Sequence, residues 1–325
     1  MRRIATVFGG SGFAGRYICQ RLAHEGWRVR VAVRYPDHAL FVRIYGILGQ
    51  VEPVHADIRD DASVAAAMAG ADAVVNCVGI MHESRGRTFE AIHVEGAGRI
   101  ARLAAENGIA RLVHLSALGA DPGSGSRYAR SKAEGEAAVL RAFPGAAILR
   151  PSVMFGPEDE FFNRFADMAR FTLVLPVVGA QTRFQPVYVD DVARAAVQAV
   201  ETGAAGVFEL GGPDVETFRA LMERMLGIIR RRRLILNVPF PLANALAAVL
   251  DGAQFLSGGL WVNRVLTRDQ VRLLRHDNVV SGELPGLADL GIDPVAMDAI
   301  LDTYLWIWRP EGQYTAIREG LSRIR

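Results

Sequence analysis

The sequence predicts an α/β fold in which a doubly wound parallel sheet is joined to a smaller C-terminal α/β domain. Short apolar runs alternate with helical stretches through the first half of the chain, as in repeated strand–helix–strand units. The apolar runs are rich in Val, Ile and Leu, which is typical of parallel strands buried on both faces. This alternation stops after about residue 156, and the change predicts a second, smaller unit.

Six apolar runs account for the strands of the predicted sheet. In chain order they are IATVFGG, RVRVAVR, VEPVHAD, AVVNCVG, RLVHLSA and AAILRPS. Helical stretches separate them, and one of these, AGRIARLAAENG, ends in the Asn-Gly pair that commonly stops a helix. The repeated order of strand, helix and strand favours a Rossmann sheet with helices on both faces.

The predicted domains are interleaved along the chain. Residues 1–160 form the sheet domain, and residues 184–204 return to it as one more strand and helix. Residues 161–183 and 205–325 form the smaller C-terminal domain, which mixes strands, helices and Pro-rich turns. We expect this smaller domain either to hold a substrate or to dock to a partner.

Composition and charge exclude several classes of protein. Of the 325 residues, 50% are hydrophobic and 22% are charged, which is typical of a globular protein. The formal net charge of +2 gives no overall attraction to nucleic acid, so none is predicted as a partner. Cys19 and Cys77 are the only cysteines, so we expect no disulfide framework. The histidines lack metal-ligand spacing, and no metal site is predicted.

The sequence also shows neither a targeting segment nor a membrane-spanning helix. It enters the first predicted strand almost at once, in MRRIATVFGG, which leaves no room for a signal or transit peptide. A spanning helix needs about 20 consecutive apolar residues. The nearest candidate, residues 234–262, is interrupted by Asn, Pro and Asp. The chain is therefore predicted to be soluble or peripheral.

A glycine-rich turn lies between the first strand and the first helix. In VFGGSGFAGRY, Gly9 makes the tight turn, Gly12 lets a pyrophosphate approach the backbone, and Gly15 lets the helix pack on the strand. The amides at the start of the helix then face the anion. Because a strand precedes this turn and a helix follows it, the pattern predicts a dinucleotide site that includes Ser11 and Phe13 as well.

The end of the second strand indicates which dinucleotide is bound. Arg34 stands where an NAD-binding protein places an acid for the ribose hydroxyls. A guanidinium matches a 2′-phosphate in a bidentate manner and has nothing to offer a neutral diol. Arg16, in the first turn of the helix, is a second cation that a nearby anion would explain. The two arginines favour NADPH over NAD as the cofactor, although either alone is typical of a solvated surface.

Two further strand ends complete the predicted nucleotide site. Asp57 follows the third strand, where its carboxylate can accept the adenine amino group and Ile58 can pack on the ring. Val78 and Gly79 end the fourth strand, along the middle of the cofactor.

Several longer segments carry a resemblance to a known superfamily. With the glycine turn, the segments YARSK, LRPSVMFGP and PVYVDDVA resemble the extended or atypical short-chain dehydrogenases/reductases over at least residues 1–215. The resemblance implies that Pro151 and Val153 border the nicotinamide. It also implies that Ser116, Tyr128 and Lys132 occupy the positions of the catalytic triad.

The C-terminal segments narrow this resemblance. The resemblance extends over almost the whole chain through two further segments, TRDQVRLLRHDNVVS and LPGLADLGI. Over this length the chain is similar to the NADPH-binding accessory subunits of respiratory complex I, the NADH:ubiquinone oxidoreductase. This implies a tightly held NADPH that does not turn over. It implies as partners the complex I subunits of the hydrophilic arm near the membrane and the quinone site. Without a visible targeting segment, the expected location is the cytoplasmic face of a bacterial inner membrane.

Residue identity alone leaves the chemistry open. Tyr128 and Lys132 lie four residues apart, so they share one helix face. In an NADP(H)-dependent reductase or epimerase, Tyr128 would donate a proton to a carbonyl, Lys132 would hold the ribose and lower the pKa of the phenol, and Ser116 would orient the carbonyl. The same residues also serve as cofactor ligands in a protein without catalytic activity. A nucleotide-responsive sensor with an exchangeable cofactor is a third hypothesis.

A run of four arginines, residues 230–233, precedes an apolar segment. It is either a solvated entrance to a core strand or a surface that attracts anionic lipid. The second hypothesis is supported by apolar residues that fall on one face of the following helix. These are Leu242, Leu246, Val249 and Leu250. The tryptophans at 261, 306 and 308 are candidate interface anchors.

Overall fold

The computed structural model describes residues 3–84, 86–257, 262–263 and 265–310 of the chain. The strands, numbered in chain order, are β1 (Ile4–Phe8), β2 (Arg28–Val33), β3 (Val51–His55), β4 (Ala73–Asn76), β5 (Arg111–Leu115), β6 (Ala147–Pro151), β7 (Met154–Phe155), β8 (Val174–Val178), β9 (Arg183–Phe184), β10 (Val187–Tyr188), β11 (Gly206–Leu210), β12 (Glu216–Thr217) and β13 (Leu234–Val238). The α-helices are α1 (Phe13–His24), α2 (Asp61–Met68), α3 (Ala97–Glu106), α4 (Arg127–Ala142), α5 (Phe162–Phe171), α6 (Val189–Thr202), α7 (Phe218–Ile228), α8 (Phe240–Leu256), α9 (Arg268–Leu273) and α10 (Met297–Leu305).

The main sheet has seven strands in the order β11-β6-β5-β4-β1-β2-β3, all paired in parallel. This arrangement confirms the predicted doubly wound α/β fold. The chain runs outward from β1 to β3 and then places β4 on the other side of β1. A reversal of this kind opens a crevice at the carboxyl ends of the strands, where open α/β sheets bind their ligands.

Helices cover both faces of the sheet. On one face α1 packs against α6 around a core that includes Ile18, Leu22 and Val192. On the other face α3 packs against α2 and α4, with Ile100 and Val139 in the core. The strands between these layers are apolar on both faces, as the Val-rich sequences predict.

The domain boundary differs from the predicted one at the returning segment. Residues 184–204 were expected to add a strand to the main sheet, but β10 pairs with β7 in a separate two-stranded sheet. The added strand is β11, at residues 206–210, which the sequence analysis assigned to the smaller domain. The reason is the crossover: α6 packs on the sheet, and the strand after a crossover helix lies parallel to the strand before it, here β6.

The C-terminal part has its own core. Helices α5, α7 and α10 pack together with the parallel pair β8–β13. Their shared cluster includes Phe162, Leu221 and Leu301, each fully buried. A smaller cluster joins α8 to α9 through Ala243, Ala247 and Val271. This is the smaller α/β unit that the sequence predicts, and its α9 segment returns to the sheet domain.

The apolar face predicted for the segment after the arginine run is largely solvent-exposed on α8. Leu242, Leu246 and Val249 are exposed, and Leu250 is half-buried. Among the described residues, no helix is both long enough and apolar enough to cross a membrane.

The predicted tryptophan anchors have different surroundings. Trp308 is half-buried, and its indole N–H donates to Asn163 at 2.8 Å. Trp306 donates to the carbonyl of Thr303 at 3.0 Å. Trp261 lies outside the described residues.

Candidate dinucleotide-binding site

The glycine turn links β1 to α1 in a conformation that requires its glycines. Gly9 has φ = 74° and donates to the carbonyl of Ala32 at 3.0 Å. A Cβ on Gly15 would lie 2.4 Å from the Gly9 carbonyl oxygen, so the first turn of α1 sits directly on the glycine turn. This close approach is the helix packing that the sequence predicts for the third glycine.

A cavity of about 330 Å³ opens beside this turn, at the carboxyl ends of the central strands. Eight of the residues predicted for the nucleotide line it. They are Gly9, Ser11, Gly12, Arg34, Asp57, Ile58, Val78 and Gly79. These backbone amides, apolar side chains and cations fit the pyrophosphate, base and phosphate of a dinucleotide.

The other predicted residues lie elsewhere. Phe13 and Gly15 belong to the first turn of α1, next to the cavity. Those implied by the resemblance do not line it. They are Ser116, Tyr128, Lys132, Pro151 and Val153. The cavity therefore brings together the residues predicted for the pyrophosphate, the adenine and the 2′-phosphate, and the residues implied for the nicotinamide half lie outside it.

The two arginines that indicated NADPH differ in their surroundings. Arg34 lines the cavity, and no carboxylate of the described residues pairs with its side chain. Arg16 pairs with Glu158 at 3.3 Å and also donates to the carbonyls of Ser11 and Gly12, each at 3.4 Å. Glu158 therefore explains the cation at the start of α1, and of these two arginines only Arg34 is left as a candidate ligand of a 2′-phosphate.

Asp57 lines the cavity as predicted, but its carboxylate already has a cationic partner. Arg59 donates to it from Nε at 3.0 Å, from Nη2 at 2.6 Å and from its backbone amide at 3.0 Å. These hydrogen bonds from Arg59 lower the pKa of Asp57 to about 2. The carboxylate is therefore ionised, and any contact it makes with adenine is shared with Arg59.

Nine residues of the cavity wall were not predicted from the sequence, and they include Tyr35, His38, Arg59 and Arg87. Arg59 stands two residues after Asp57, and that spacing could have indicated the pair. Arg87 lies in the loop that follows β4, and only the fold brings it to the ends of β2 and β3. Its Nε is buried and has no hydrogen-bond partner among the described residues.

Tyr128 and Lys132 lie on α4, which begins at the capping residue Ser126. Lys132 is buried, and its Nζ donates to the carbonyl of Leu115 at 2.9 Å. Burial lowers the pKa of Lys132 to about 8 and raises that of Tyr128 to about 12. The tyrosine ring packs edge-on against Phe89 and His93. Desolvation raises the pKa of the phenol here, and the lowering of that pKa by Lys132 stays a prediction.

Ser116 does not line the cavity, and its hydroxyl is bound within the protein. The hydroxyl donates to the carboxylate of Glu136, which also accepts two hydrogen bonds from Arg150, from Nε at 2.9 Å and from Nη2 at 2.6 Å. Ser116 and Glu136 are both buried. The Ser116 hydroxyl is thus bound to a buried ion pair, and its implied role in orienting a substrate carbonyl stays a prediction.

The C-terminal segment reaches back to the start of α4. The Asp269 carboxylate, from α9, accepts from the Ser126 hydroxyl at 2.7 Å and from the amides of Arg127 at 2.7 Å and Tyr128 at 3.0 Å. A carboxylate at a helix N-terminus is stabilising, because the first amides lack intrahelical partners. The TRDQV segment that carried the narrower resemblance thus holds the helix of Tyr128 and Lys132 in place.

A second contact of this segment lies where the resemblance placed the nicotinamide. The Asn278 Oδ1 accepts from the Ser152 hydroxyl at 2.7 Å and from the Val153 amide at 3.1 Å. Its Nδ2 donates to the carbonyl of Leu118 at 3.4 Å. The residues after β5 and β6 are therefore bound to the chain's own C-terminal part.

Comparison with known families agrees with this architecture. A family model described as the NAD dependent epimerase/dehydratase family matches residues 5–211, which contain the whole seven-stranded sheet apart from one residue. The chain belongs to the NAD dependent epimerase/dehydratase family. A solved structure of this fold is the UDP-glucose 4-epimerase of Thermus thermophilus in complex with NAD. It is 18% identical, covers 94% of this chain and 99% of its own, and has a TM-score of 0.69. This likeness shows the fold alone.

Two relatives confirm the narrower resemblance, which is to accessory subunits of respiratory complex I. The mitochondrial NADH dehydrogenase [ubiquinone] 1 alpha subcomplex subunit 9 of Arabidopsis thaliana is 40% identical over 90% of this chain and 74% of its own length. The mitochondrial 40 kDa subunit of the NADH-ubiquinone oxidoreductase of Neurospora crassa is 33% identical over 95% of this chain and 80% of its own length. The chain therefore groups with subunits of NADH:ubiquinone oxidoreductase.

The same relatives correct the predicted location. The location expected from the sequence was the cytoplasmic face of a bacterial inner membrane. That expectation is wrong, because the relatives are named as mitochondrial subunits of eukaryotes.

Proposed function

We propose that this chain is an accessory subunit of respiratory complex I that holds NADPH and does not turn it over. The membership in this family and the two subunit relatives support the first part. The observation that carries the second part is the contrast within the site. The nucleotide cavity is formed by the glycine turn and Arg34, whereas the Ser116 hydroxyl is bound to Glu136 and the start of α4 is bound to Asp269.

The choice of NADPH rests on Arg34. A bound NADPH would supply a hydride from its nicotinamide, and its 2′-phosphate would be the group nearest the end of β2. Arg34 can donate to that phosphate through two parallel hydrogen bonds. The Asp57 carboxylate would otherwise attract ribose hydroxyls, but it already accepts hydrogen bonds from Arg59.

We expect Arg34→Ala to weaken NADPH binding by roughly 10- to 100-fold, since a charge-assisted hydrogen bond contributes about 1.5–3 kcal/mol. NADH binding should change by less than about threefold, because NADH lacks the phosphate. Calorimetric titration of both nucleotides measures the difference. Arg28→Ala, at the other end of β2, is the matched control and should leave both affinities unchanged. Equal losses of NADPH and NADH in Arg34→Ala would contradict the assignment.

The second candidate function is an NADP(H)-dependent reductase or epimerase. It is favoured by one observation, the presence of Tyr128 and Lys132 on one face of α4. The bond from Lys132 to the Leu115 carbonyl and the pKa of about 12 for Tyr128 oppose it, because a phenol of this pKa is a poor proton donor at neutral pH.

Tyr128→Phe separates the two candidates. We expect the variant to keep NADPH, to assemble into complex I and to leave NADH:ubiquinone oxidoreductase activity unchanged, because no step depends on the phenol. Nucleotide content and the activity of the isolated complex are the measurements. Tyr45→Phe, a tyrosine outside the cavity wall, is the control. A carbonyl-dependent oxidation of NADPH by the wild-type chain that Tyr128→Phe abolishes would establish an enzyme instead.

In this proposal the nucleotide has a structural role. A ligand that binds only the folded state stabilises that state by mass action, so bound NADPH would strengthen the subunit before and after assembly. The bonds of Asp269 and Asn278 connect the C-terminal part to the sheet domain, so stabilising one part also supports the other.

The proposed place on the complex, on the hydrophilic arm near the membrane, is supported by a surface on the C-terminal part. The arginines at 231–233 lie next to Leu234 and Leu236, which are exposed on β13. Phe171, 77% exposed, lies under the guanidinium of Arg170. Cations beside exposed apolar side chains suit the headgroup region of an anionic lipid surface.

A further inference from the structure

The loop after β4 brings an arginine to the cavity. Ser84 and Arg87 exchange backbone hydrogen bonds of 3.1 Å and 2.8 Å, which close the loop at this point. The loop is also fastened from outside, because the Arg59 Nη1 donates to the Gly86 carbonyl at 2.9 Å. The backbone of Arg87 is therefore fixed, and its side chain lines the cavity.

The side chain of Arg87 is half-buried and lacks the partners that a guanidinium in such a place normally has. Its Nε is buried without a hydrogen bond, and no described carboxylate pairs with it. Leaving a buried donor of a charged group unpaired destabilises the folded state. Burial, together with the neighbouring Arg34 and Arg59 cations, lowers the pKa of Arg87. The guanidinium of Arg87 thus lies near other cations and has no described carboxylate partner. A bound anion would stabilise this arrangement.

Arg59 has a different role from its two neighbours. Its Nε and Nη2 are bound to Asp57, and its Nη1 is bound to the Gly86 carbonyl. All sides of this guanidinium are in use, and its charge is balanced by the carboxylate. Two guanidiniums of the wall, those of Arg34 and Arg87, are left without a described carboxylate partner.

The position of these two arginines indicates which part of a nucleotide they bind. The pyrophosphate of a dinucleotide is bound by the amides of the glycine turn, after β1. Arg34 follows β2, and Arg87 shares the cavity with Asp57 and Ile58 after β3. This is the ribose end of the adenosine half, where the anionic group is a phosphate monoester of charge about −2.

We propose that Arg87 is a second ligand of the 2′-phosphate, opposite Arg34 in a two-arginine clamp whose loop is positioned by Arg59. The proposal rests on the proposed NADPH site and extends it to a residue far from the second strand in sequence. Two guanidiniums match the charge of the phosphate, and each can donate two hydrogen bonds to its oxygens. NADH offers neither group a partner, so Arg87 contributes to the choice of nucleotide as well as to affinity.

The test is calorimetric titration of the isolated chain with NADPH, NADH, 2′,5′-ADP and 5′-AMP. We expect Arg87→Ala to weaken NADPH and 2′,5′-ADP by roughly 10- to 100-fold, because it removes charge-assisted hydrogen bonds to the phosphate. NADH and 5′-AMP should change by less than about threefold. Arg43→Ala, an exposed arginine outside the cavity wall, is the matched control and should change none of the four affinities.

Stability without nucleotide provides a second readout. Because Arg87 is half-buried and its Nε is buried without a partner, Arg87→Ala should unfold at the same denaturant concentration as the wild type or at a higher one. Arg87→Lys keeps a charge without the bidentate fork and should retain only part of the preference for NADPH. Loss of NADPH binding with unchanged stability is thus the expected pattern.

The outcomes distinguish this proposal from the one on which it rests. If the wild type prefers NADPH and Arg34→Ala removes the preference, but Arg87→Ala does not, the clamp is overturned and the NADPH site remains. An equal loss of NADPH and NADH in Arg87→Ala places the residue on a group common to both and also overturns the clamp. A wild type that binds NADPH no better than NADH overturns the NADPH site together with the clamp.

Discussion

Gly15→Ala is expected to abolish nucleotide binding and to lower the free energy of unfolding. The added Cβ would lie 2.4 Å from the carbonyl oxygen of Gly9 and 2.8 Å from the Cα of Gly10. Both are backbone atoms of the turn that cradles the pyrophosphate, so the turn must change shape to admit the methyl group. Overpacking of this kind typically costs about 1–3 kcal/mol.

The measurement is NADPH titration together with denaturant unfolding of the Gly15→Ala chain. Gly252→Ala is the matched control, because Gly252 is also in a helix but has no neighbour within 4 Å of the added Cβ. There alanine should be neutral or stabilising, by up to about 1 kcal/mol. A Gly15→Ala variant with wild-type affinity for NADPH would show that the glycine turn does not hold the nucleotide.

The second large effect is expected from Glu136→Ala. The substitution leaves Arg150, whose side chain is 20% exposed, without its carboxylate, and it also removes the acceptor of the Ser116 hydroxyl. Removing one partner of a buried ion pair costs about 3–5 kcal/mol. Because Arg150 keeps some contact with water, we expect a loss near the lower end, about 3 kcal/mol, in denaturant unfolding.

Two variants test whether this loss comes from the buried pair. Glu106→Ala breaks an exposed pair with Arg102 on α3 and should cost no more than about 0.5 kcal/mol. Ser116→Ala removes a single hydrogen bond and should cost about 1 kcal/mol without weakening NADPH. If Glu136→Ala were as stable as Glu106→Ala, the pair would not be the structural element described above. In that case Ser116 would again be a candidate for the cleft.

The glycine turn and Arg34, which local sequence predicted for the nucleotide, line one cavity. The glycine turn and Arg34 stand at fixed positions after two consecutive strands, so their spacing along the chain is enough to place them at one edge of the sheet. Arg87 could not be predicted in this way, because its position depends on the loop after β4 and on the anchoring of that loop by Arg59. The segments IATVFGG and RVRVAVR were thus enough to predict the glycine turn and Arg34, whereas the loop sequence was not enough to predict Arg87.

The direction of a side chain was a second feature that the sequence could not predict. Ser116 has the residue type and the chain position of a catalytic serine, but it follows the end of β5, and the direction of its side chain depends on the partners that the fold brings near it. Here the partner is Glu136, twenty residues later, which is itself bound to Arg150. The strand at 206–210 was misassigned for a related reason, since pairing with β6 depends on how α6 crosses the sheet.

In the proposed role, the chain is a subunit of complex I that carries NADPH as a structural ligand. The most direct test of this role starts from complex I isolated in mild detergent from the cells that contain this chain. The subunits are identified by mass spectrometry, and the nucleotide released on denaturation is quantified before and after many turnovers with NADH and quinone. We expect the chain to be present with about one NADPH per copy, unchanged by turnover. A chain that is absent from the complex and is recovered free, with NADP(H) that exchanges and reacts, would contradict the account.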